Sequence, residues 1–170
     1  MASIIVTGTN ASQSAIANTI SALNTAGIGN TILIAADKPL GVKFAGHFVS
    51  SADCSLGRAL MQTLTLTSER QLILIDASTE ISTERMGALL SSLASIRGES
   101  FGYAMLEQAG QRFDLPDLTV DSLVQFLNME QELPLLCCSF PRSLLEKVDL
   151  HESLDSTECM VQVVIAAVPS

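Results

Sequence analysis

Residues 71–80 read QLILIDASTE, an unbroken apolar run from Leu72 to Ile75 that stops at Asp76. A short continuous run bounded by polar residues fits a strand covered on both faces, the usual state of a strand in a parallel sheet. Ser82-Thr83-Glu84-Arg85 then has the form of a helix start. Ser82 stands at the cap, Glu84 and Arg85 fill the first turn, and Met86, Leu89, Leu90 and Leu93 follow at helical spacing. The unit is buried strand, acid at the tip, short loop, amphipathic helix. Asp76 would then occupy the carboxyl end of a strand, where open α/β sheets bind ligands; the plainer alternative is a solvated loop acid.

The same grammar runs through the first half of the chain. Residues 3–7 (SIIVT) predict a strand, and a loop of small polar residues, GTNASQ, follows. Ala15, Ile16, Ile20 and Leu23 recur at helical spacing to Ala26, and Gly27 and Gly29 end that helix. Residues 31–35 predict a second buried strand. Strand, helix and strand with short links make a βαβ unit, hence a parallel, right-handed crossover. Over 36–51 no period is clear, and Pro39, Gly41 and Gly46 suit an irregular loop with room for a short strand. Residues 55–67 predict a helix through Leu56, Ala59, Leu60 and Leu64.

After Gly98 the pattern is looser. It predicts a strand over 101–106, a loop over 108–116, a helix over 117–129 and a strand over 133–140. A short helix would begin at Pro141 and run to Lys147. The run Val161, Val163, Val164, Ile165 leaves 157–168 open between helix and strand. As a strand it would offer an edge for pairing with another copy. The whole reads as α/β, a three-layer α/β/α arrangement of Rossmann-like type around a mostly parallel sheet. No repeat, linker or low-complexity tract divides it, so a single domain over 1–170 is expected.

Charge narrows the partners. A formal net charge of −9 with no basic run argues against a nucleic-acid backbone. No stretch approaches the ~18 continuous apolar residues of a membrane span. The opening MASIIVTGTN has no basic segment and enters a strand at once, so a signal peptide is not expected. The location that fits is the cytoplasm, or a complex assembled in the cytosol. Charged residues make up only 16% of the chain and hydrophobic ones 48%. So few charges imply that part of the surface is covered, in a homo-oligomer or a larger protein assembly. A well-packed monomer with a Ser/Thr/Asn/Gln surface is the alternative. Cys54, Cys137, Cys138 and Cys159 form no CxxC pair, and His47 and His151 are far apart. There is thus no zinc-ligand spacing, and the thiols read as buried residues of a reducing compartment.

Several chemistries fail on residue type. A short-chain dehydrogenase needs glycines in its first turn so that backbone can approach a pyrophosphate, and Ser12 and Ser14 stand there instead. Its Tyr-xxx-Lys pair is missing too, since the only tyrosine, Tyr103, is followed four residues later by Glu107. No Gly-Lys-Ser/Thr marks a P-loop, and no G-x-S-x-G elbow marks a serine hydrolase.

From Leu56 the text LGRALMQTLTLTSERQLILIDASTEISTERMGALLSSL resembles the core of a family-2 glycosyltransferase, whose GT-A fold binds nucleotide-sugars. In that family a helix rich in small residues leads to a buried strand, an Asp-x-Asp turn and a helix start. SIIVTGTN resembles the family's opening strand, with Thr7 near its tip and Thr9-Asn10 in place of Tyr-Asn. TILIAADKP falls where the family's second strand ends in Asp-Asp, and here Ala36-Asp37 stand. CCSFPRSLLEKVDLHESLDSTECMVQVVIAAV resembles the segment that leads to the Glu-Asp before the last helix. The likeness covers most of the chain, in order, through motifs that are each short.

The resemblance implies nucleotide contacts at Thr7, Asn10, Asp37 and Asp76, and a divalent cation, Mn²⁺ or Mg²⁺, at the Asp-x-Asp turn. Hard oxygen ligands there would hold the cation across the donor diphosphate. This chain carries Asp76-Ala77-Ser78, so Asp76 and Ser78 form only a vestige of that metal site. The resemblance puts the catalytic base at the second residue of Glu-Asp, which here is Glu158-Cys159. Glu158 would serve only if shifted by one position, and Cys159 is a poor base in a sequence with no neighbouring cation. The expectation is a catalytically silent glycosyltransferase-like domain, without a cofactor, kept for structure or interaction. The alternative is a small metal-dependent nucleotide-sugar transferase; a weaker one is a nucleotide- or sugar-binding pseudoenzyme.

Overall fold

Alternation along the apolar strands sorts the core into two halves. The computed structural model describes residues 2–7, 11–27, 32–36, 46–50, 55–79, 81–96, 102–103, 107–108, 111–112, 137–151 and 156–167. The strands are β1 (Ala2–Thr7), β2 (Ile32–Ala36), β3 (Gly46–Ser50), β4 (Gln71–Asp76), β5 (Gly102–Tyr103), β6 (Glu107–Gln108), β7 (Gln111–Arg112) and β8 (Cys137–Pro141). Six of them form one sheet in the order β3-β2-β1-β4-β8-β5, while β6 and β7 pair apart from it. β3, β2, β1 and β4 are mutually parallel, and β8 runs antiparallel to β4 and β5.

Successive side chains of a strand point to opposite faces. Ile4, Val6, Ile73, Ile75 and Cys137 lie in one cluster, with Ile16, Ile20 and Leu23 of α1 (Gln13–Thr25) and Met86, Leu90 and Leu93 of α3 (Thr83–Ser95). Ile5, Leu72, Leu74, Cys138 and Phe140 lie in the other, under α2 (Leu56–Leu66), α4 (Arg142–Leu145) and α5 (Ser156–Ala167). The result is the expected three-layer α/β/α arrangement. α1 ends as its sequence predicts: Ala26 caps it, and Gly27 takes φ 67, a left-handed conformation that favours glycine.

The structure settles two open readings and changes two. Residues 156–167 form a helix, because Cys159 and Val163, four apart, are both 0% exposed in the core and so share one helical face. The segment is therefore not an edge strand for another copy. Residues 46–50 form a strand parallel to β2, the short strand for which the pattern over 36–51 left room. Part of the loop expected over 108–116 pairs instead as β6 and β7. Pro141 is the last residue of β8, paired with Gln71, and the helix begins after it. Lacking an N–H, proline suits a strand end. The N–H of Arg142 then bonds the Arg70 carbonyl at 2.8 Å. The helix expected over 117–129, Gly29 and residues 133–136 lie outside the described residues.

Polar contacts close the amino edge of the sheet. The Arg142 guanidinium donates to the Leu64 carbonyl at 2.7 Å, to the Thr67 carbonyl, and to Glu146 at 2.8 Å. It thereby serves carbonyls at the end of α2 that have no partner within the helix. Ser3 and Thr67 share a hydroxyl bond of 2.6 Å, and the Gln71 amide donates to the Ser139 hydroxyl.

The carboxyl edge is where the strand order reverses. From β1 the chain moves outward through α1 to β2, and from β3 it returns through α2, on the opposite face, to β4 on the other side of β1. β1 and β4 thus flank the switch point, the place where ligands bind in open α/β sheets.

Candidate functional site

Thr7 and Asp76 are register partners at the carboxyl tips of β1 and β4. The Ala77 N–H donates to the Thr7 carbonyl at 2.8 Å, and Ala77 is buried, so the turn after β4 is pinned to the end of β1. Asp76 closes the turn twice over. Its carbonyl accepts from the Thr79 N–H at 3.1 Å. Its Oδ1 accepts from both the N–H and the hydroxyl of Ser78, each at 2.8 Å. Short polar side chains bonding their own backbone two residues on are what shape such turns. Asp76 is half-buried and Ser78 exposed.

Helices supply the surrounding field. Each of α1, α2 and α3 follows a strand that ends on the carboxyl edge, at Thr7, Ser50 and Asp76 respectively, so their amino ends face that edge. Ser12 caps α1 by accepting from the Ala15 N–H at 3.1 Å, and Ser55 caps α2 by accepting from the Arg58 N–H at 3.2 Å. Ser82 occupies the cap position of α3 without a side-chain bond. No acid occupies the first turn of α1 or α2, whereas α3 carries Glu84. Helix amino ends carry partial positive charge and favour anions. Arg58 stands half-buried in the first turn of α2.

Cys137 completes the surroundings. It opens β8 opposite Ile75 and is 1% exposed. Burial first, and then the charge of Asp76, push its thiol up to about 12. A thiol held protonated is a poor nucleophile.

Of the residues marked from sequence, Thr7, Asp76 and Ser78 come together at the switch point. Asn10 and Asp37 lie outside the described residues. Glu158 and Cys159 sit on α5: Glu158 is exposed, and Cys159 is 0% exposed in the cluster that holds Leu60 and Phe140. Among the described residues no group of three or more His, Cys, Asp and Glu side chains is placed to hold a metal ion. Sequence reasoning passed over Arg58 and Cys137. Arg58 was detectable as the residue three after the capping Ser55; Cys137 needed the β4–β8 register.

A mostly parallel sheet between two helical layers, with an acid at its switch point, defines a Rossmann-like fold of the GT-A type. A solved structure shares it. The bifunctional IspDF from Campylobacter jejuni superposes with a TM-score of 0.54 at 10% identity, over 96% of this chain and 47% of that one. Glucosyl-3-phosphoglycerate synthase from Mycobacterium tuberculosis, in complex with uridine diphosphate, gives 0.47 at 16% identity, over 87% and 59%. TarS 1–349 from S. aureus gives 0.47 at 13% identity, over 98% and 54%. The chain thus spans about half the length of these solved chains. At 10% identity the likeness to IspDF is one of fold. No family profile and no curated protein sequence matches the chain.

Proposed function

We propose that the chain is a glycosyltransferase-like domain that does not transfer sugar and serves as a structural or interaction protein, in a homo-oligomer or a larger assembly. The observation that carries this reading is the Asp76 turn. Where the resemblance calls for a second metal-binding carboxylate, Ser78 donates its N–H and its hydroxyl into Asp76 Oδ1 at 2.8 Å. Those donors engage one of the two carboxylate oxygens, and at Ser78 no second carboxylate stands to share a cation with the other. The base position supports the same reading, since Cys159 is a core thiol remote from solvent. An assembly role is supported by α5, whose twelve residues include a single charge, Glu158, and whose Ile165 is 55% exposed.

A second reading, a small nucleotide-sugar transferase using Mn²⁺ or Mg²⁺, draws on a different observation. Asp76 keeps its place at the switch point, half-buried, with the amino ends of α1, α2 and α3 turned toward that edge. A nucleotide- or sugar-binding pseudoenzyme using Asp37 and Asp76 has the same support.

The test is a light-scattering mass together with an assay for UDP released from UDP-glucose in the presence of Mn²⁺. The expected result is a mass well above the 18.0 kDa of the chain and no release beyond the buffer rate. A monomer that releases UDP, and loses that activity in Asp76→Ala, overturns the proposal in favour of the transferase.

A further inference from the structure

The divalent cation implied by the glycosyltransferase resemblance can be tested against the residues at the turn, and they do not fit it. Mg²⁺ and Mn²⁺ take hard oxygen ligands, carboxylates above all, in a demanding geometry. Asp76 Oδ1 already accepts two hydrogen bonds, and the Ser78 hydroxyl oxygen is turned to the carboxylate as a donor. The backbone is pinned as well, by the Thr79 N–H on the Asp76 carbonyl and the Ala77 N–H on the Thr7 carbonyl.

We infer that Ser78, a neutral hydroxyl where a second carboxylate would be needed, leaves this turn too poor in charged ligands to hold a divalent cation, so that any ligand reaching Asp76 meets the carboxylate directly and not through a metal. Two features set the consequence. A hydroxyl is neutral and here donates, whereas a carboxylate at the same position would accept and would add a charge. Cation affinity rises with the number of charged ligands. The turn is therefore one substitution away from a metal-binding turn, and Ser78→Asp opens it. The inference rests on the same turn that carries the proposed function, but it concerns ion uptake and not turnover.

Mn²⁺ alone is the probe, with the free ion measured by electron paramagnetic resonance as the full chain is added. Wild type leaves the signal unchanged at millimolar ion. So does Ser78→Thr, which keeps the hydroxyl. Ser78→Asp takes up Mn²⁺ at least about tenfold more tightly than wild type, and Asp76→Asn in that background abolishes the gain. Thermal unfolding of each variant shows that it is folded. Uptake by the wild type that disappears in Asp76→Asn overturns the inference. So does a folded Ser78→Asp chain with no gain; should that variant not fold, the wild-type and Ser78→Thr titrations decide. Uptake without UDP release would sink this inference and spare the proposed function, whereas UDP release without Mn²⁺ uptake would do the reverse.

Discussion

Alkaline pH should unfold this protein through two adjacent thiols. Cys137 and Cys138 face opposite layers of the sandwich, and they are 1% and 5% exposed. Burial and then Asp76 raise Cys137 from its ordinary 9.0 to about 12, while burial and then Cys137 raise Cys138 as well. Both stay neutral in the fold where an unfolded chain would ionise. Their contribution is complete below the unfolded value of 9.0 and is lost as pH climbs toward the folded value, about 12 for Cys137. Each thiol loses about 1.4 kcal/mol by about pH 10, so the pair loses about 3 kcal/mol there. That is a large share of the ~5–15 kcal/mol that holds a domain together.

The perturbation is Cys137→Ala/Cys138→Ala, compared with wild type by urea unfolding under reductant from about pH 7 to about pH 10. At neutral pH the variant should be weaker by about 2 kcal/mol, from lost packing. By about pH 10 the wild type should have fallen by about 3 kcal/mol relative to the variant, closing or inverting the gap. Tyrosine and lysine ionisations are common to both chains and cancel. A gap that stays constant to within ~0.5 kcal/mol across this range would refute the reasoning.

Two further comparisons test the packing. Arg142→Ala strips the guanidinium from the Leu64 and Thr67 carbonyls and should cost about 2–3 kcal/mol, or ~6 °C or more in Tm; Glu146→Ala removes only the exposed ion pair and should cost less than ~0.5 kcal/mol. Ser55→Ala loses the bond to the Arg58 N–H and should cost about 1 kcal/mol, whereas Ser82→Ala, at a cap without a side-chain bond, should change thermal stability by less than ~0.5 kcal/mol.

The strands that carry the site were legible because they are apolar on both faces. Leu72 to Ile75 are all buried, in alternation between two cores, and a polar residue marks where burial stops. Pairing partners were less legible, because register depends on residues far apart in sequence. That β8 lies against β4, which brings Cys137 beside Asp76, follows from contacts over more than sixty positions. The Val-rich segment was undecided by propensity: β-branched residues favour strands in general, but Cys159 and Val163 bury one helical face against the core, and packing overrides propensity. At the site, the chemical identity of Asp76 and Ser78 was visible in the sequence. The hydrogen bonds by which one holds the other required coordinates.

The most direct test of the proposed function, that this Rossmann-like domain carries out no metal-dependent sugar transfer, is calorimetric titration of UDP and UDP-glucose with and without Mn²⁺. The account predicts no Mn²⁺-dependent heat at millimolar nucleotide. Metal-dependent binding that disappears in Asp76→Ala would contradict it, and at ligand about 100 times its Kd such binding would also stabilise the fold by about 2.7 kcal/mol.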